Sequence, residues 1–528
     1  MGHKKKVVTA IAITALVAAG CGGSSDDGAD SDGAIVVGTA DRVEALDPAA
    51  AQDQGSSAVM NQVYRYLLNY PPSDQLPRPD AAERCDFTQP TVYTCVVKDG
   101  LEFANGNPLT AASVKYSFDR IAKINDKNGP ATLLAQLDHV DVVDPRTVAF
   151  TIRTPNDQTF PRVLASEAGP IIDEKIFPPD TLLDDDAIVA GKPFAGPYTI
   201  SNFQKDEVVE LEANPDYDGA LGKAKSPKIR VRYFGSPESL TTATDDGSID
   251  VGFDAYRPAD VESLRDNSEL VVHQGPGDEL HYLVFNFDTM PGGSPEQKWA
   301  VRKAIASSID RDALVATIYN GTFAPAYSVV PEGFPDAVQP FRDLYGDKPN
   351  KEAAARFAAE SGVPTPIVLD IEHCPEHYGP TSTAEYEAIE AQLESTGLFT
   401  VNLKTAAWDT YDRDRVQNAY PEYEHRWEAV LPDPDEFIVP LFGQFNVLQN
   451  HFASPVVDDL IRQESTELDP VRRAEQLRQL QDELARTHIP VLPLVSSKHI
   501  AVAQQNVQGV PETLDVTGKL RFTTLTKS

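Results

Sequence analysis

Few side chains in this chain are grouped as chemistry would require. The tightest group is His373-Cys374-Pro375-Glu376-His377, which puts imidazole, thiol and carboxylate within five residues. Those donors suit a zinc- or copper-type ion. A closed site needs a second pair of soft or imidazole ligands, and none completes it in the sequence. A loop after a strand at 367–371, with Pro375 breaking any helix, is the simpler reading. Nucleophile elbows, HExxH helices, phosphate loops and dinucleotide fingerprints are absent. Carboxylate pairs such as Asp245-Asp246 read as solvated faces in so acidic a chain. The expectation is therefore no enzyme, no cofactor and no metal. What covalent chemistry remains lies in the cysteines. Cys85 and Cys95 flank DFTQPTVYT, a turn-rich stretch followed by an alternating strand. In an oxidising compartment they are expected to pair, for about 2.5–3 kcal/mol in the chain-entropy account. Cys374 is then left over as a buried thiol.

Compartment is read from the N-terminus. His3, Lys4, Lys5 and Lys6 precede an uncharged, largely apolar run at 7–19, then Gly20-Cys21. A basic end, a short apolar stretch and small residues make a secretory leader too short to span a bilayer. Ala18-Ala19-Gly20-Cys21 resembles a bacterial lipoprotein signal, with Ala18 where Leu is usual. The resemblance implies that Cys21 takes lipid and becomes the new N-terminus. GGSSDDGADSDG follows at 22–33, nearly without apolar residues. It cannot bury a core, and as a coil it reaches about 20 Å, a leash between anchor and body.

The elements that must position any site follow from periodicity. The chain has 528 residues, 41% of them hydrophobic, enough for more than one domain. Its net charge of −34 should repel nucleic acid and anionic lipid, and suits the solubility of an exported protein. The body opens with a strand at 35–39, and Tyr64 to Leu68 should close a helix before Pro71-Pro72. Val114, Phe118 and Ile121 share the face of a helix capped by Thr110. Strands at 140–143 and 147–152 flank a hairpin turn, Asp144-Pro145-Arg146. Residues 178–197, rich in Pro, Asp and Gly, look like a connection. Gln274-Gly275-Pro276-Gly277-Asp278 breaks the pattern and is a candidate hinge. Beyond it strands and helices alternate, as in a mixed α/β lobe. A long helix opens at Asp469-Pro470, a strand returns at 491–495, and a short β-rich tail follows.

Five segments in order resemble the bacterial extracellular solute-binding proteins of family five. They are VKDGLEFANG at 97–106 leading into PLTAASVKYSF at 108–118; GPY at 196–198 with LEANPDY at 211–217; Phe285-Asn286 with WAVRKAI at 299–305 and Ile309-Asp310-Arg311; Trp427 with Pro432-Asp433-Pro434; and IPVLPL at 489–494. The residues themselves hold turns and caps. The resemblance implies an α/β, two-lobed periplasmic-binding-protein-like fold with a hinge and an extra subdomain on the first lobe. It implies a signal at 1–20, a tether at 21–33, lobe I at 34–70, the extra subdomain at 71–190, lobe I again at 191–277, lobe II at 278–495 and a return to lobe I at 496–528.

The function so implied is a substrate-binding lipoprotein of an ABC importer, on the outer face of the bacterial membrane. It would act as a monomer, close on a small molecule or peptide, and hand it to permease subunits. A cell-envelope regulator or chaperone that kept the fold without transport is the alternative. Trp427 lies in the segment that lines the cleft in relatives, where its ring would stack on solute. Peptide-binding relatives carry an Asp three residues later to pair with the peptide ammonium; here it is Val430, against standard peptide recognition. Glu424 could supply an acid, whereas Glu428, next to Trp427, should point to the other face of a strand. Tyr282 and Asn286 share parity just past the hinge, and Ser56 and Ser57 lie near the first-lobe lining segment.

Overall fold

The computed structural model describes residues 33–528. The leader, Cys21 and the tether up to residue 32 lie outside the described residues. Two long antiparallel strands, Leu270–Phe285 and Val491–Gln504, form the spine of an eleven-stranded sheet. On one side of them stand Glu422–Glu428, Ile367–His373 and Phe399–Thr405; on the other Val251–Phe253, Ile35–Thr39, Lys228–Tyr233, Val208–Ala213 and Tyr198–Gln204. Their two halves serve different lobes. Residues 270–276 pair with 498–504, residues 280–284 pair with 491–496, and the register shifts between Pro276 and Leu280.

That shift falls in the segment expected to be a hinge, but the strand does not break there. The glycines answer to close approach. A Cβ on Gly275 would lie 2.2 Å from the Leu514 carbonyl oxygen, and one on Gly277 2.3 Å from Ser497 Oγ. Only glycine lets the backbones pass at that distance. Gly275→Ala is expected to cost about 1–3 kcal/mol through the forced backbone shift, read as a lower urea midpoint.

Three large apolar clusters divide the body. One holds Leu283, Val301, Ile371, Tyr423, Phe437, Leu477 and Leu492, and forms lobe II. A second holds Ile35, Val37, Val63, Val209, Val231, Ala501 and Phe522, and forms lobe I. The third lies in the extra subdomain, where the sheet Ala82–Gln89, Val92–Val97, Thr147–Ile152 and Leu137–Asp144 carries the helix Ala111–Ile124. Val114, Phe118 and Ile121 of that helix are buried, and Thr110 and Ser113 cap it reciprocally. Cys85 and Cys95 face each other across two strands of this sheet and are bonded; Cys374 is free and buried.

Several elements differ from their sequence reading. The helix expected to end at Leu68 spans Gln54–Val63, because the Val63 carbonyl accepts from Ala195 and Gly196 N–H instead of continuing the turn. The strand read at 491–495 runs on to Gln504. Its apolar pattern changes where it leaves one core (Val491, Leu492, Leu494) for the other (Ala501, Ala503). The tail beyond it is mostly turns wrapped on lobe I rather than β-rich. Around His373, Nδ1 meets Ser382 Oγ at 3.1 Å, and His377 stacks on Trp408. Among the described residues no group of three or more His, Cys, Asp and Glu is disposed to hold a metal ion.

Candidate functional site

A cavity of about 320 Å³ opens where lobe I, lobe II and the spine meet. Its lobe I wall is the start of the helix Gln54–Val63. Asp53 caps that helix, accepting the Ser56 N–H at 2.8 Å, and the first turn presents Gln54, Ser57 and Ala58 to the cavity. The return segment adds Thr517, Gly518 and Lys519, and the extra subdomain adds Glu167. The opposite wall is Asp278, at the register shift, with Glu428, Ala429 and Val430 at the end of the strand Glu422–Glu428. Ala429 N–H donates to the Asp278 carbonyl at 3.1 Å and ties these two pieces together. An adjoining recess of about 220 Å³ shares Asp278 and Glu428 and adds Asp41, Tyr233, Asp254 and His499.

The charge of this cleft is lopsided. Burial, with Asp254 beside it, raises the Asp41 carboxyl. Burial also raises Asp278, opposed by His499. Glu428 is open to the water of the cleft but has protein on most sides; this enclosure, with Asp278 and Glu279 near, lifts its carboxyl to about 7. Burial works against the charge of His499, but Asp254 and Asp278 outweigh it and hold the imidazole up at about 9. Its Nδ1 lies 3.5 Å from Asp254 and its Nε2 3.9 Å from Asp278. Burial lowers Lys519 to about 8. Ser57 Oγ and the Tyr233 hydroxyl are buried without a hydrogen-bond partner. Carboxylates thus outnumber cations, and the site can hold a positive group more readily than a negative one.

The residues expected in the cleft are divided by the structure. Ser57 and Val430 line the cavity, Val430 half exposed. Ser56, one residue and 100° away on the helix, turns inward and accepts from Glu44 and Ala45 N–H at 2.9 and 3.3 Å. Glu424 is buried within lobe II, accepting from Ser382 Oγ at 2.6 Å, Cys374 N–H at 3.0 Å and Arg426 Nε at 3.0 Å. Tyr282 is a core residue whose hydroxyl donates to Val329 O at 3.0 Å. Asn286 is buried, donates to Asn418 Oδ1 and accepts from Asp288 N–H, holding a turn. Trp427 packs on the lobe II core, and its Nε1 donates to Glu436 O at 2.7 Å. It lines neither the cavity nor the recess. Strand parity does separate Glu428 from Trp427; the cavity lies on the glutamate's side.

Past Val430 the chain plunges into a buried ionic cluster. Asp433 is paired with Arg473 at 2.7 and 2.9 Å and with Arg162 at 2.8 Å. Burial alone would raise its carboxyl, but the two guanidiniums hold it well below the usual carboxylate range. Sequence reasoning marked Asp433 only as part of a motif, and missed Asp41, Asp254, Asp278, His499 and Lys519 as lining residues.

Comparisons with known proteins agree with this architecture. The profile of the bacterial extracellular solute-binding proteins, family 5 Middle, matches residues 77–449. The probable D,D-dipeptide-binding periplasmic protein DdpA of Escherichia coli (strain K12) is 25% identical over 462 residues, 85% of each chain. The dipeptide-binding protein DppE of Bacillus subtilis (strain 168) is 23% identical over 532 residues, 94% of this chain and 93% of its own. The structure of HbpA2 from Haemophilus parasuis superposes with a TM-score of 0.80 at 22% identity, over 94% of this chain and all of that one. The family match spans more than half of the sequence, and the lobes and hinge strands carry the corresponding fold: this chain belongs to the bacterial extracellular solute-binding proteins of family 5.

Proposed function

We propose that this chain is the extracytoplasmic receptor of an ABC importer, held to the membrane by lipid on Cys21, and that it captures a small cationic solute such as a short peptide between its lobes. The observation that carries this reading is the acid-lined cavity at the spine, with Asp278 and Glu428 on one wall and the start of the helix Gln54–Val63 on the other. An ammonium group there makes charge-assisted hydrogen bonds in a partly dry site. Val430 in place of an acid moves that task to Glu428, two residues back in sequence, and to Asp278, which lines the same cavity. The names of the two sequence relatives, both dipeptide-binding, support a peptide. The spine strands, each shared by both lobes, offer the hinge about which the lobes close. Closure follows from contacts that solute makes better in the closed state.

Native mass spectrometry of freshly purified protein, then calorimetry with the dipeptide Lys-Ala and its form acetylated on both amines, which has no ammonium group, tests the reading. Lys-Ala is expected to bind and the acetylated form to bind weakly or not at all. Failure to find bound solute or any peptide affinity, with a stable protein partner instead, would favour the envelope-regulator alternative. The binding should also depend on pH. The Glu428 carboxyl titrates near 7. Affinity for Lys-Ala should fall by up to about tenfold from pH 8 to pH 6, as the carboxylate that holds the ammonium takes up a proton. The sign for stability is opposite. A carboxyl raised in the folded state contributes stability below the ordinary glutamate range, and this is lost as pH rises through about 7. A bound cation restores it.

A further inference from the structure

Arg162 belongs to the extra subdomain, on the short helix Phe160–Val163, yet its main partners are in lobe II. Its Nη2 lies 2.8 Å from Asp433 Oδ2, and its Nε donates to Pro432 O at 3.2 Å. Next to it, Gln158 N–H donates to Ser465 O at 3.2 Å. From the other direction Leu431 enters the apolar cluster of the extra subdomain, where it is 6% exposed. These contacts follow directly on residues 428–430, which form the lobe II wall of the cavity. That wall is therefore anchored at one end by the spine and at the other by a group from across the cleft.

We propose that Arg162 is a positioning residue for solute binding: through Asp433 it clasps lobe II to the extra subdomain before any solute arrives, and so sets the placement of the 428–430 wall. The cluster is built to release. Within lobe II, Asp433 already accepts two bonds from Arg473 and one from Asp435 N–H at 2.9 Å. When the lobes part it keeps all three, and no buried anion is orphaned. Arg162 keeps its bond to Gln158 O at 3.0 Å within its own subdomain, and the rest of the guanidinium passes to water. Opening thus exchanges an ion pair for hydration and uncovers Leu431. It avoids the much larger cost of leaving an unpaired charge in a dry interior. The two partners are therefore unequal: removal of Arg162 undoes the clasp, whereas removal of Asp433 strikes the fold of lobe II.

The clasp is tested without solute by small-angle scattering and amide exchange on the mature chain, comparing wild type, Arg162→Ala and Arg162→Lys. Arg162→Ala is expected to raise the radius of gyration by about 1 Å. The Gln158 amide should exchange about tenfold faster or more, with the unfolding midpoint of lobe II unchanged. Arg162→Lys, which keeps the charge, should fall between. A folded Arg162→Ala protein with wild-type scattering and wild-type Gln158 protection overturns the proposal. Should that variant not fold, Leu431→Asn attacks the same contact from lobe II, and the same pair of outcomes decides. A second arm rests on the proposed function: Lys-Ala affinity should weaken several-fold in Arg162→Ala, although Arg162 does not line the cavity. If Lys-Ala fails to bind the wild type, that reading fails, while the scattering still decides the clasp.

Discussion

Asp433→Ala is expected to cost about 3–5 kcal/mol of stability, the largest effect of any single substitution considered for this chain. The side chain is fully buried and serves two guanidiniums, Arg162 and Arg473. Truncation removes the shared anion: Arg162 can pass to water, but Arg473 stays within lobe II with only Glu464 as a partner, at 3.1 Å. The penalty is chiefly that of under-compensated buried charge rather than the net worth of the pairs. Neighbouring acids do not take over. Burial raises Asp435 and Glu464, which hold one proton between them and so carry a single negative charge, too little for two guanidiniums. Urea unfolding followed by far-UV circular dichroism checks the loss. Arg462→Ala, which breaks the exposed pair with Asp459, is the control and should change stability by no more than about 0.5 kcal/mol. Equal midpoints for the two variants would show that the buried cluster carries no special weight.

Glu428→Gln is expected to weaken Lys-Ala binding by about tenfold to a hundredfold, the equivalent of losing one charge-assisted hydrogen bond of about 1.5–3 kcal/mol. The substitution keeps size and shape and removes only the charge. Glu428 stands at the open end of a strand, so at pH 6, where the wild-type carboxyl is mostly protonated, the unfolding midpoint should hardly move. Asp278→Asn should act in the same direction, but it also frees His499 from one of the three carboxylates, Asp254, Asp278 and Asp515, that keep it protonated. The imidazole should then titrate lower, which nuclear magnetic resonance of the ring protons would read directly. Unchanged affinity in Glu428→Gln, with the pH dependence of binding intact, would move the ammonium site elsewhere in the cleft.

Much of the local structure was legible before any coordinates. The period of Val114, Phe118 and Ile121 and the cap at Thr110 predict the helix Ala111–Ile124. Alternation around Asp144-Pro145-Arg146 predicts a hairpin, and Asp469-Pro470 a helix start; each of these elements forms. These features are short-range, and their cause lies in adjacent residues. The cleft was less legible. Parity correctly sets Glu428 and Trp427 on opposite faces, but nothing local says which face meets the other lobe. Tyr282 and Asn286, expected to share a strand face, are both buried in lobe II, Asn286 in the turn just past the end of the strand. Ser56 and Ser57 are neighbours in sequence, yet a 100° helical step sends one to the core and the other to the cavity.

By itself, then, the sequence determined the family and the chain of elements. Each of these is written in motifs or in periods a few residues long. Only the tertiary structure decided the site. Its walls come from residues near 53, 278, 428 and 518, brought together by two strands that each pass from one lobe to the other. A lone lysine such as Lys519, or the last glutamate of a strand, has no local signature of function. Its role is set by which distant charges share its low-dielectric surroundings, and burial and pairing of that kind exist only once the chain has folded.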